Sequence, residues 1–188
     1  MKGYASLGAG TGALTAHLAI QASRVSAFDK SKFMIAVARD KLALLRLSNC
    51  CVGLADHRCV PLPDASTDMV VAAWTMASLV YDCPAETWRQ ELDKAVLEMR
   101  RLVRPGGAVA VLCPANPGPR DYLSRLEELH GFSRTLYSSS WQFPAIATAR
   151  KVIRFFFGEE TWRVYRSRWP VRFVSRCGIW WRVDEPSA

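Results

Sequence analysis

The chain has 188 residues, half of them hydrophobic, and a formal net charge of +8. That length accommodates one domain with a sizeable core. No apolar run approaches the roughly 18 residues a membrane span needs, and no basic region followed by a hydrophobic stretch and a cleavage site opens the sequence. The expectation is a single cytoplasmic domain over residues 1–188 with no transmembrane segment. The six cysteines, Cys50, Cys51, Cys59, Cys83, Cys113 and Cys177, contain no C-x-x-C pair. Several stand in apolar runs, where reduced cysteine packs as a small hydrophobe, so neither a metal site nor a disulfide framework is expected.

In chain order, Tyr4 to Leu7 reads as the end of a strand, followed by Gly8, Gly10 and Gly12 and then by a helix with Leu14, Leu18 and Ala22 on one face. "RVSAF", Arg24 to Phe28, is a second strand. Ser31 to Leu47 is a helix with Ile35, Ala38, Leu42 and Leu45 at helical spacing, and "CVGLA", Cys51 to Ala55, is a third strand. "MVVAAW", Met69 to Trp74, is the continuous apolar run of a strand buried on both faces. Glu86 to Arg104 is an amphipathic helix with Leu92, Val96, Met99 and Val103 inward, stopped by Pro105-Gly106-Gly107. "AVAVLC", Ala108 to Cys113, is the fifth strand. Strand and helix alternate, which implies a parallel, doubly wound α/β sheet with right-handed crossovers.

Ligands of such sheets bind at the carboxyl ends of the strands, near the topological switch point. The glycine loop is a strand-to-helix turn where absent side chains allow a tight bend and close approach of a ligand. It fits two patterns. One is the dinucleotide fingerprint G-x-G-x-x-A, with Ala13 as its last small residue; the other is the G-x-G-x-G loop that holds S-adenosyl-L-methionine (SAM). Asp29 ends the second strand, where a carboxylate can accept both hydroxyls of a ribose, Asp56 follows the third strand, and Trp74 ends the fourth. Taken singly, Asp29 also reads as an acid at a helix N-terminus and Asp56 as an ordinary turn residue.

Four stretches in order, "LGAGTG", "AFDKSKFMIAVA", "ADHRCVPLPDASTDMVVAAW" and "EMRRLVRPGGAVAVLCP", resemble the class I SAM-dependent methyltransferases, in particular the methyltransferase type 11 branch, over about residues 4 to 114. The third stretch is the most specific, with "LPD" and then Asp68 ahead of the fourth strand. A nicotinamide enzyme is not expected to carry it. The resemblance implies a Rossmann-like sheet, mostly parallel with an antiparallel last strand, and SAM as cofactor. It also implies that Gly8, Gly10 and Gly12 line the methionine and ribose portions and that Asp29, followed by Lys30, binds the ribose. Asp56, with the backbone of Ala55 and His57, is implied to contact the adenine edge, while Ala73 and Trp74 border the methionine end and the acceptor. Ser6 stands at the cofactor where the family usually has an acid. Only three residues precede the first strand, whereas relatives carry one or two N-terminal helices over SAM, so the expectation is a truncated chain or a cover supplied from elsewhere.

Beyond that stretch, Asp121 to His130 reads as a helix with Leu123, Leu126 and Leu129 inward, and "SRTLYSSSW" and "VRFVSRCGIWWRV" as the last two strands. Between those strands residues 143–169 read as two helices separated at Gly158, too long for a hairpin turn. The segment's Ile146, Val152, Ile153, Phe156 and Phe157 are more apolar than a solvated excursion tolerates. It is expected to be a helical insertion forming the substrate-side wall. From Arg134 onward ten basic residues stand against four acids, while residues 1–133 carry fifteen against thirteen. A nucleic acid, an anionic small substrate and a membrane surface all answer to that charge. Nineteen of the 25 basic residues are Arg, a bias GC-rich coding produces alone, and no recognised nucleic-acid module accompanies it; a solvated basic face carries most weight.

The three histidines, His17, His57 and His130, have no acid or nucleophile placed with them by sequence and read as structural, so no catalytic residue is singled out. The fourth strand is followed by "WTMASL", not by the Asn/Asp-Pro-Pro-Tyr/Phe motif of amide and base amino methylation. The expected activity is therefore methyl transfer from SAM to a small-molecule or lipid-like acceptor. The alternative is a non-catalytic methyltransferase-like binding module, with RNA methylation behind both.

Overall fold

The computed structural model describes residues 2–116, 118–166 and 172–184. The elements run β1 (Gly3–Leu7), α1 (Ala13–Ala19), β2 (Arg24–Asp29), α2 (Lys32–Leu44), β3 (Cys50–Leu54), β4 (Thr67–Ala73), α3 (Met76–Asp82) and α4 (Trp88–Leu102). Then follow β5 (Val103–Pro114), α5 (Tyr122–Glu128), β6 (Ser133–Gln142), α6 (Ile146–Tyr165) and β7 (Arg172–Val183). The seven strands form one sheet in the order β3-β2-β1-β4-β5-β7-β6. β1 to β5 are parallel, with Ser6 of β1 in register with Ala27 of β2 and Val71 of β4. β7 runs antiparallel to β5. Gly106 N–H donates to Asp184 O at 2.7 Å, and nine residues on, just past the end of β5, Ala115 N–H donates to Arg176 O at 2.9 Å.

The sheet is held by its apolar strands. Ala5 and Leu7, Val25 and Ala27, Val70 and Ala72, and Val109 and Val111 are at most 1% exposed. Consecutive Val70, Val71 and Ala72 of β4 are at most 3% exposed, so the strand is buried on both faces, as the unbroken run predicts. The chain runs outward from β1 to β3 and then returns to β4 on the other side of β1. That reversal leaves a crevice at the carboxyl ends of β1 and β4.

Several boundaries differ from the sequence reading. α2 begins where expected, with the Ser31 hydroxyl accepting from Met34 N–H at 3.3 Å, but it stops three residues early. Arg46 takes a left-handed φ of 55° and donates its N–H to Ala43 O while Leu47 N–H donates to Leu42 O. This is a Schellman closure without the usual glycine. Leu45 is consequently 55% exposed, and Leu47 packs beside Ala19, Ala22 and Val25 instead. On α1 the buried face belongs to Thr15 and Ala19, one position on from the expected Leu14 and Leu18. On α5, Asp121 caps by accepting from Ser124 N–H at 3.1 Å, and the turn through Gly131 buries Phe132 while Leu129 is 58% exposed. α4 presents Leu92, Val96 and Met99 inward as expected. Val103, buried at 4% exposure, is already the first residue of β5, because Pro105 disfavours helical backbone at Arg104. The sequence reading missed α3 altogether; its Met76, Leu79 and Val80 are buried.

The chain divides into two compact units. The first comprises Met1–Cys113, Pro117–Thr135 and Gly178–Ala188, and the second Pro114–Asn116 and Leu136–Cys177. Within the second, α6 is two helical arms meeting at Gly158, whose φ of 83° and ψ of 170° break the helix, as the sequence predicts. Ala149, Ile153 and Trp162 form the unit's buried cluster, with Trp141, Phe143 and Tyr165 packed on it. Residues 167–169 of the expected insertion, the side chains of Phe156 and Phe157, and Val171 at the start of the expected last strand lie outside the described residues. Among the described residues, no helix is long and apolar enough to cross a membrane. Among the described residues no disulfide joins any of the six cysteines.

Candidate functional site

The crevice is a cleft of about 590 Å³ in the first unit. One wall is the loop from β1 to α1. Gly8 and Gly10 hold φ of 62° and 53°, a region L side chains rarely adopt. A Cβ on Gly8 would collide with Thr75 and stand 2.7 Å from His57 Nε2, whereas a Cβ on Gly10 would meet nothing within 4 Å. Gly8 is thus required by its neighbours, while the space over Gly10 is open. Asp29, at the end of β2, ties this wall together: its Oδ2 accepts Gly10 N–H at 2.8 Å and its Oδ1 accepts Ser31 N–H at 2.9 Å. The carboxylate lines the cleft with further lone pairs to give.

The opposite wall comes from the turn after β3 and from α3 and α4. Asp56 accepts Arg58 Nε and Nη2, both at 2.7 Å, and Arg58 reaches across to Glu91 of α4. The Arg58 hydrogen bonds hold the Asp56 carboxyl down at about 2, and hydrogen bonds from Lys94 and Arg58 lower that of Glu91. Lys30 pairs with Asp82 at the end of α3 at 2.6 Å, which raises its pKa. His57 is 7% exposed and shares a 3.0 Å hydrogen bond between Nε2 and Thr75 Oγ1. Burial pushes its pKa below the ordinary value, so the ring is neutral near pH 7. Trp74 stands at the corner between β4 and α3 with a φ of 59°, half exposed to the cleft. Non-glycine residues in that conformation concentrate where a site over-determines the backbone.

Gly8, Gly10, Asp29, Lys30, Asp56, His57 and Trp74 therefore share one cleft, while Ser6, Gly12, Ala55 and Ala73 do not line it. Ser6 is inside the sheet at 2% exposure. Gly12 packs against Ala38 as the N-cap of α1, and Ala55 donates its N–H to Asp29 O. The sequence reading did not single out Met34, Arg58, Thr75, Leu79, Asp82 or Glu91, all on the wall. α3's buried Met76, Leu79 and Val80 at helical spacing were the signal for Thr75 and Leu79. Four carboxylates face two cations there, Asp29, Asp56, Asp82 and Glu91 against Lys30 and Arg58. This surplus of negative charge suits a cationic ligand, although Ser6 supplies none. His130 lies away from this cleft, buried and bonded through Nε2 to Asp93 at 2.8 Å. His17 is exposed on α1.

Residues 5–111 match the family described as a methyltransferase domain. Among curated proteins, the ubiquinone/menaquinone biosynthesis C-methyltransferase UbiE of Ralstonia nicotianae is 35% identical over 107 residues, covering 55% of this chain and 39% of that protein. UbiE of Cupriavidus pinatubonensis is 35% identical over 106 residues, with the same coverage. The chain thus spans well under half the length of these relatives. Among solved structures, the SAM-dependent methyltransferase of Aquifex aeolicus superposes with a TM-score of 0.62 at 17% identity, covering 97% of this chain and 82% of that one. The YcgJ protein of Bacillus subtilis gives 0.63 at 14%, covering 99% and 93%. These superpositions establish the fold.

Proposed function

The chain belongs to the methyltransferase domain family, whose cofactor is SAM, and from that premise we propose that it transfers a methyl group from SAM to a small-molecule or lipid-like acceptor in the cleft at the ends of β1 and β4. The observation that carries this reading is the pairing of open space over Gly10 with the Asp29 carboxylate beside it. A bound SAM supplies an electrophilic methyl on a sulfonium. What the protein must add is alignment and exclusion of water. In this reading the Gly8 and Gly10 backbone lies against the methionine and ribose, and Asp29 accepts the ribose hydroxyls. Asp56 and His57 border the adenine edge, Met34 and Leu79 offer it apolar surface, and Trp74 lies between the methionine end and the acceptor. The carboxylate surplus favours the cationic cofactor over its neutral product analogue. The UbiE relatives are named as C-methyltransferases of quinone biosynthesis, which favours a carbon acceptor on an apolar ring.

Calorimetry with SAM, S-adenosylhomocysteine and NAD tests the cofactor: SAM and S-adenosylhomocysteine bind and NAD does not. Binding of NAD alone overturns the reading. Labelled methyl transfer to reduced quinones then separates an active enzyme from a module that binds SAM without turnover.

A further inference from the structure

The second unit has a groove of its own, about 580 Å³, lined by Ile146, Ala147, Arg150, Lys151, Arg154 and Trp162. Its composition follows from the helix. At about 100° per residue, Ile146, Arg150, Arg154, Ala147 and Lys151 occupy successive positions around one face of the first arm of α6. Ala149 and Ile153 turn the adjoining face to Trp162 of the second arm, and all three are buried. Trp162 therefore belongs both to the unit's core and to the groove wall. Small Ala147 separates the cationic side chains and leaves a floor between them.

The charge is unbalanced. Arg154 is paired with Glu159 just past the Gly158 break, and Glu160 is taken by Arg163 at 2.8 Å. Among the described residues, neither Arg150 nor Lys151 has an acidic partner. Two uncompensated cations thus rim an apolar floor of Ile146, Ala147 and Trp162. A solvated basic face does not need that floor, and a purely apolar contact does not need the cations.

We propose that this groove binds an amphiphilic anion, a phosphate ester whose headgroup is held by Arg150 and Lys151 and whose alkyl chain lies on Ile146, Ala147 and Trp162. The guanidinium of Arg150 offers a planar fork and Lys151 a compact point charge, a combination suited to the several acceptor oxygens of a phosphate. The site does not depend on the methyltransferase reading, and its test reads binding rather than turnover.

The full chain is titrated calorimetrically with octyl phosphate, inorganic phosphate and octanol, and sedimented with vesicles of phosphatidylcholine containing phosphatidylglycerol. Octyl phosphate is expected to saturate a single site, with inorganic phosphate and octanol at least about tenfold weaker because each uses half of the groove. The double variant Arg150→Gln/Lys151→Gln is expected to lose at least about tenfold in affinity, while Arg24→Gln/Arg46→Gln, equal in charge and remote in sequence, changes nothing. Glu159→Gln frees Arg154 and tightens binding by about threefold, a gain that a misfolded variant cannot mimic. Binding of octyl phosphate assigns the site to a free amphiphile; sedimentation with the vesicles alone, lost in the double variant, assigns it to a lipid headgroup. Binding of neither probe, or binding that the Arg150→Gln/Lys151→Gln variant leaves intact, overturns the proposal.

Discussion

Along one wall of the cleft, from Gly8 to Ser31, backbone N–H groups gather on the Asp29 carboxylate; along the other the polar contacts are side-chain ion pairs, Asp56 with Arg58 and Arg58 with Glu91, and Lys30 reaches across from the first wall to Asp82. A wall built from backbone has one shape. A wall built from half-exposed ion pairs can exchange partners at little cost. The first kind suits the ribose and methionine of a fixed cofactor; the second, where Asp56 and His57 border the adenine edge in the proposed reading, suits contacts that can readjust.

If that division is right, the largest effect follows from filling the space over Gly10. Gly10→Val adds a branched side chain at a φ of 53°, where nothing now lies within 4 Å. SAM affinity is expected to fall at least about a hundredfold, with the far-ultraviolet circular dichroism near that of the wild type. Normal SAM binding by the variant would show that the glycine serves the turn alone. Asp29→Ala comes next. It removes charge-assisted bonds to the ribose and also releases Gly10 and Ser31, so SAM binding should weaken by about 1.5 to 3 kcal/mol. Asp29→Asn, which keeps one oxygen as an acceptor, should fall between the two, and calorimetry on the three proteins orders them.

The ion-paired wall should respond more weakly. Arg58→Gln removes the guanidinium from Asp56 and leaves Glu91 with Lys94 alone, and SAM affinity is expected to change by no more than about threefold. Its clearer signature is in acid. The folded-state value of Asp56 is about 2, below its ordinary 3.8, so its contribution to stability is present above the ordinary value and is lost as pH falls through about 2. Removing Arg58 returns Asp56 toward its ordinary value. The variant should be less stable at neutral pH and should lose less between pH 4 and pH 2, read as the urea midpoint across that range. A drop in SAM affinity as large as that of Asp29→Ala would erase the distinction between the walls.

The same contrast explains what the sequence could reveal. Gly8, Gly10 and Asp29 act within a strand-turn-helix and its neighbouring strand end, so residue type and short spacing point to them. Arg58 and Glu91 are 33 positions apart, and Lys30 and Asp82 are 52 apart; no local pattern joins such pairs before the sheet brings them together. The parallel, doubly wound class was legible because strands alternating with helices admit few topologies. Helix ends were not, where the signal was missing: Arg46 closes α2 in a conformation usually announced by glycine, and Leu45 was placed inside for that reason. Ser6 pointed to a missing charge in the cleft, but Asp82 and Glu91 add two carboxylates to Asp29 and Asp56 there; Asp82 stands on α3, which the sequence did not disclose, and Glu91 on the outer side of an α4 that was read only for its buried face.

His57 joins the two walls, and its replacement should have the smallest effect on binding and a distinct effect on stability. Its Nε2 meets Thr75 and lies beside Gly8, with Asp56, Asp29, Lys30 and Arg58 as the charged groups around it. Burial lowers its folded-state pKa from 6.5 despite the two carboxylates. Below about 6.5 the unfolded chain therefore holds more protons at this position than the folded one, and stability falls with pH until the folded-state value is passed. His57→Gln does not titrate but can still hydrogen-bond Thr75, so SAM affinity should shift by less than about threefold. The urea midpoint of the wild type should decline more steeply than that of the variant from about pH 7.5 to about pH 5.5, narrowing the wild type's advantage as the solution is acidified. Equal slopes would mean that the buried ring takes up its proton as readily as an exposed one, which the desolvation of His57 between the walls does not allow.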